Sequence, residues 1–140
     1  MAFPTSPFDG QIYNGYIYNT TKGAWVKTGS ILEQGSNSNG HYLVFSSGLQ
    51  VCWGLRASVN LPMTTASLGW YRNSDVVTVT WPRAFNTAPY VLATGESNSS
   101  PVAKPVGGAV SSTSADFYLY RGNSATATAS FYWIARGEAG

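Results

Sequence analysis

Two stretches constrain this chain more than any others: Gly48-Leu49-Gln50-Val51-Cys52-Trp53-Gly54 and Phe131-Tyr132-Trp133-Ile134-Ala135. Read with a period of two, each has an apolar face that suits a core, Leu49, Val51 and Trp53 in the first and Phe131, Trp133 and Ala135 in the second. The opposite faces carry Cys52, Gly54, Tyr132 and Ile134, with no charge. A strand that is apolar on both faces needs cover on both. In 140 residues that cover comes from a second sheet on one side and a neighbouring subunit on the other, so an oligomer is expected.

Similar runs of β composition recur at residues 41–45, 49–53, 76–81, 90–94, 106–110, 117–121 and 129–136, mostly separated by Gly, Pro, Asn or Ser. No window holds a sustained 3.6-residue apolar period with capping signals. The spacing predicts an all-β chain, an antiparallel β-sandwich of about seven short strands. Ahead of it, Gln11-Ile12-Tyr13, Asn14-Gly15 and Tyr16-Ile17-Tyr18 read as a hairpin, because Asn-Gly suits the two positive φ angles of a type I′ turn. Ala24-Trp25-Val26-Lys27 adds a third strand to this small N-terminal β-meander. So few residues do not enclose a core. The aromatics Tyr13, Tyr16, Tyr18 and Trp25 are therefore expected to dock on the rest of the chain, on sister chains or on a larger body, the last two being favoured. Residues 30–40 end in Gly, Ser and Asn and read as a linker. The expected division is residues 1–35 for the meander and linker, and 36–140 for the sandwich. Residues 56–73 and 96–105 are the longest irregular pieces, expected as loops, where binding commonly resides.

Several kinds of chemistry find no residues to carry them. His41 is the single histidine and Cys52 the single cysteine, which argues against a nucleophilic triad and against a zinc site. Cys52 reads as a buried, inert thiol. No Gly-rich phosphate loop is present, and no cofactor or metal is expected. Asp9, Glu33, Asp75, Glu96, Asp116 and Glu138 lie near turns or termini and read as solvated carboxylates, although a glycosidase pair drawn from them stays open. Charged residues are 10% of the chain, the net charge is +2, and the basic residues are scattered, so no nucleic-acid footprint is expected. No apolar run approaches the ~18 residues of a membrane span, and the first residues have neither a basic start nor an apolar core, so neither membrane insertion nor an ordinary cleaved signal is expected.

What remains is a neutral, aromatic surface suited to sugars or other hydroxylated ligands. Two regions offer an aromatic, an Arg and an Asn close together: Trp70, Tyr71, Arg72 and Asn73, and Tyr120, Arg121 and Asn123. These seven are the candidate ligand-binding residues. The competing reading places Trp70 in the core and gives the others to turns and subunit packing.

The three motifs Gly48-Leu49-Gln50-Val51-Cys52-Trp53-Gly54, Val77-Thr78-Val79-Thr80-Trp81-Pro82-Arg83-Ala84-Phe85 with Ala88-Pro89-Tyr90-Val91, and Phe131-Tyr132-Trp133-Ile134-Ala135-Arg136-Gly137 occur in this order. In that order they resemble the C-terminal, receptor-binding domain of bacteriophage tail-fibre proteins, over about residues 40–137. Pro7-Phe8-Asp9-Gly10-Gln11-Ile12-Tyr13 with Gly23-Ala24-Trp25 resembles a short aromatic module of phage structural proteins. The second half is more distantly similar to H-type lectins. The resemblance implies a virion protein, not an enzyme. It would be a homotrimeric adhesin that joins other virion proteins through its N-terminal segment and binds a host-surface glycan or protein. A structural decoration without ligand, and a carbohydrate-cleaving virion enzyme, are the alternatives. The chain departs from a full fibre in having about 40 residues before the sandwich in place of a long shaft.

Overall fold

The computed structural model describes residues 2–67, 69–97, 102–124 and 126–140. These residues form twelve strands and no helix. Strands β1 (Ile12–Tyr13), β2 (Tyr16–Asn19) and β3 (Ala24–Lys27) make a separate antiparallel sheet. Its first turn is the expected one, with Asn14 at φ 49° and Gly15 at φ 81°. The pairs Tyr13↔Tyr16 and Tyr18↔Trp25 put four rings on one face, and Ile12↔Ile17 and Ile17↔Val26 make the other face aliphatic.

The rings find their cover in a way that the sequence reading did not foresee. Phe3 folds back and stacks on Trp25 at 5.2 Å, with its edge contacts to Tyr16 at 5.3 Å and Tyr13 at 6.0 Å. Tyr18 meets Trp25 edge-on at 5.5 Å. The segment thus carries a half-buried aromatic cluster of its own, closed by the chain ahead of β1.

Residues 31–37, expected as linker, are strand β4 (Ile31–Asn37), paired antiparallel with β5 (Gly40–Phe45). The polar composition misleads because β4 is an edge strand, pairing with β5 alone. Gly35 is there for space: a Cβ at this position would lie 2.7 Å from the Tyr42 hydroxyl, whose ring covers the strand. Tyr42 Oη donates to Glu33 Oε1 (2.9 Å), Arg83 pairs with Glu33 at 3.4 Å, and Asn37 Nδ2 donates to the Pro82 carbonyl (2.8 Å). The supposed linker is pinned to the body at both ends.

The body is a sandwich of two antiparallel layers that share β6 (Leu49–Ser67). The first half of β6 lies between β5 and β12 (Thr126–Glu138), with β9 (Tyr90–Ser97) on the far side of β12. Its last residues cross to the other layer and pair with β7 (Trp70–Asn73), beside β11 (Ser114–Arg121), which also pairs with β8 (Val77–Thr80) and β10 (Val102–Val110). Residues 56–67 and 70–73, expected as a loop, are therefore mostly strand. Of the second expected loop, residues 96–97 and 102–105 belong to β9 and β10, and 98–101 lie outside the described residues.

The core fills the space between the layers. Phe131, Trp133 and Ala135 on β12 face inward as expected, against Val77, Val79, Phe117 and Leu119. Phe117 and Phe131 meet at 5.2 Å, and Trp81 and Trp133 at 5.2 Å. On β6 the expected face is reversed: Gln50 and Cys52 are fully buried, while Trp53 is 37% exposed. The cause is the Trp133 indole, which lies over Gly54, where a Cβ would come within 2.7 Å of Cζ2. The β12 rings already fill the interior, so β6 presents its slim face inward and its bulky one outward. Gln50 is accommodated by Arg83, which donates to its Oε1 (2.6 Å), and by the carbonyls of Arg83 and Ala84, to which its Nε2 donates (3.0 and 3.1 Å). Burial pushes the Cys52 thiol above its ordinary range, which leaves little thiolate for chemistry.

Candidate functional site

The two candidate regions meet on one layer. Strands β7 and β11 are neighbours, with Tyr120 opposite Arg72 and Arg121 opposite Tyr71. Alternation then divides the seven residues between two faces. Along β11 Ala115, Phe117, Leu119 and Arg121 point inward. Arg121 is only 3% exposed, continuing the core row of Phe117 and Leu119. Asn73 is fully buried: its Oδ1 accepts from the Leu119 backbone N–H (2.7 Å), and its Nδ2 donates to the Asp75 carbonyl. Tyr71 packs against the core. Asn73 and Arg121 therefore lie in the interior, where the Asn73 amide ties β7 to β11.

The outward residues make a more compact group. Trp70, 48% exposed, stands two positions from Arg72 on the same face of β7. The Arg72 guanidinium lies 4.3 Å from the centre of the Tyr118 ring, and Tyr120 lies across from Arg72. A cation over a ring face holds both groups in place, so the arginine is presented in a fixed orientation between two tyrosines. Asn123 is exposed in the turn that follows β11. Tyr118 was missed by the sequence reading, although a period of two from Phe117 and Leu119 puts Tyr118 and Tyr120 outward together. Rings with an arginine and an amide beside them can cover the apolar face of a sugar and donate to its hydroxyls. Among the described residues no three of His, Cys, Asp and Glu come together as a metal site would need.

The other layer has a different outer face. Ile134 pairs with Trp53 on one side and Leu92 on the other, and Tyr132 pairs with Leu55. Leu92 is 76% exposed, and Leu55, Tyr132 and Ile134 are each about half exposed. His41 stacks on Trp53 at 5.5 Å and extends the row to β5. This apolar outer face is contiguous across β5, β6, β12 and β9.

Two solved structures share this architecture. An N-truncated R1-type pyocin tail fibre matches 78% of this chain and 88% of its own length, with 19% identity and a TM-score of 0.54. The fold is similar to that of this pyocin tail fibre. A second match, a C-terminal part of the P. aeruginosa R1 pyocin fibre, covers 97% of this chain with 18% identity and a TM-score of 0.55. The present chain spans 40% of that longer fragment. No family model and no curated protein matches the chain.

Proposed function

We propose that this chain is the receptor-binding end of a fibre on a phage or phage-tail-like particle, working as a homotrimer and binding a glycan or protein of the host surface. The observation that carries this reading is the fold it shares with pyocin tail fibres, over 97% of the chain in one case. The apolar outer face around Trp53, Ile134 and Leu92 supports the oligomer, because an exposed apolar sheet face of this kind marks a protein contact. The Trp70, Arg72, Tyr118 and Tyr120 group supports a sugar-type ligand, the lectin-like part of the reading. The N-terminal sheet is the segment for attachment to other virion proteins.

The test is binding of labelled protein to host cells, with Trp70→Ala and Arg72→Ala as variants. Each is expected to weaken binding by roughly 1–3 kcal/mol while the oligomer keeps its mass. A parent protein that binds no cells would make the chain a structural decoration. Release of reducing ends from isolated surface polysaccharide would make it an enzyme.

A further inference from the structure

The outward group on β7 and β11 leaves unused a second place where an aromatic ring, an arginine and a carboxylate converge. At the end of the other layer, an open concavity of about 600 Å³ lies between the start of β6, the segment ahead of β9 and the last residues of β12. Its volume falls in the ~300–1,000 Å³ range of small-ligand sites. Tyr90, Arg136, Glu138, Thr87 and Ser47 line it.

Three features favour a ligand here. Tyr90 is 81% exposed in the single chain and pairs directly with Arg136 across β9 and β12, so the ring and the guanidinium stand side by side at the end of the outer row of Leu92 and Ile134, on the border of the face proposed for the subunit contact. The Arg136 guanidinium makes no side-chain hydrogen bond or ion pair among the described residues, whereas Arg83 is held by Glu33 and Gln50 and Arg72 by Tyr118. Glu138 follows two residues later on the same face, with one carboxylate oxygen accepting from Asn86 Nδ2 (3.3 Å). A donor-only guanidinium and an acceptor-only carboxylate beside a bare ring match the vicinal hydroxyls and apolar face of a pyranose. The opposite charges offset one another, which favours a neutral sugar over a charged one.

The walls are already in place. Ala139 N–H donates to the Gly48 carbonyl (2.9 Å), Asn86 N–H to the Glu138 carbonyl (3.0 Å), and Phe85 bridges Ala139. Gly137 lets β12 close on Phe85 and Pro89, where a Cβ would sit 3.1 and 3.3 Å from them. Sites built on paired strands hold their geometry without ordering a loop on binding.

We infer that this concavity is a second saccharide subsite, in which a neutral pyranose stacks on Tyr90 while Arg136 donates to, and Glu138 accepts from, its hydroxyls. The inference deepens the adhesin reading and rests on its sugar class of ligand. The experiment is saturation-transfer NMR of the full chain with methyl glycosides of glucose, galactose, mannose, rhamnose and N-acetylglucosamine. At least one is expected to bind, with Tyr90→Ala and Arg136→Gln each lowering affinity about tenfold, the size of one lost anchoring contact. The inference is overturned if no glycoside binds, if both variants bind as the parent does, or if either variant changes the oligomer mass, which would give the pair to a subunit contact. Cell binding by the parent separates the two readings. Cells bound without glycoside binding leave the adhesin standing and remove this site; glycosides bound without cells do the reverse.

Discussion

Gly54 is a glycine because of its neighbour's ring and not because of its backbone, since its φ is not among the positive ones. The Trp133 indole that rests on it is itself wedged against Trp81, so it has little room to retreat. Gly54→Ala should therefore cost about 1–3 kcal/mol, the usual range for overpacking, and Trp133→Ala about 3–5 kcal/mol from the cavity it leaves. Urea unfolding followed by tryptophan fluorescence measures both, and a Gly54→Ala variant as stable as the parent would mean that the ring moves freely. Asp9 offers a pH test on the N-terminal sheet. Its carboxyl is held below the ordinary 3.8 by the backbone N–H and the hydroxyl of Thr20. Because the folded value is the lower one, the ionised group stabilises the sheet above about pH 3.8, and this contribution is lost as pH falls through the folded value. The near-ultraviolet signal of the Phe3, Trp25 and Tyr cluster should change on acidification in the parent, and that step should be absent in Asp9→Asn.

Strand by strand, what the sequence made readable is what depends on local pattern. The Asn14-Gly15 turn, the inward row of Phe131, Trp133 and Ala135, and the β composition of most strands follow from residues near one another. The face of β6 does not, because nothing within residues 48–54 reveals that an indole from β12 will occupy the Gly54 side. β4 was hidden in the same way: Gly35 reads as flexibility until Tyr42 is seen lying across it. The candidate site was half legible for a related reason. Side-chain chemistry drew attention to Arg121 and Asn73, but alternation along β11 governs which groups reach solvent, and it turns Arg121 inward and Tyr118 outward. The reversed face of β6 also carries the element-scale prediction. Ile134 sits in the middle of the outer row, between Trp53 and Leu92. Ile134→Lys should leave the sandwich folded, since the side chain is half exposed within one chain, but should reduce the proposed trimer to single chains in light scattering. A variant that stays at the parent mass would move the subunit contact to another surface.

At the scale of the whole molecule, the question is whether the N-terminal sheet is a support of the sandwich or a separate attachment. The links between them are few. Lys22 Nζ donates to the Leu32 carbonyl (2.8 Å), Ser46 Oγ to the Lys27 carbonyl (3.1 Å), and Ser46 N–H to the Ser30 carbonyl (2.8 Å). Between the two sheets a cleft of about 570 Å³ remains, with Ile17 and Tyr18 on one wall and Leu32, Val44 and Phe45 on the other. An interface with so much open space contributes little packing, and each hydrogen bond lost on truncation is worth about 1 kcal/mol. The cut must fall before β4, because that strand pairs along its length with β5 and carries Glu33 of the Arg83 pair. Removing residues 1–28 keeps β4 and the Ser30 link, so the sandwich should stay folded and keep the parent's number of chains, with a small loss in thermal midpoint. The same truncation should abolish incorporation into particles, because it deletes the exposed Phe8 and Ile12 together with the aromatic cluster. Light scattering reads the first outcome and immunoblotting of purified particles the second. Particles that still carry the truncated chain would place attachment on the sandwich and leave the N-terminal sheet a lid over its own cleft.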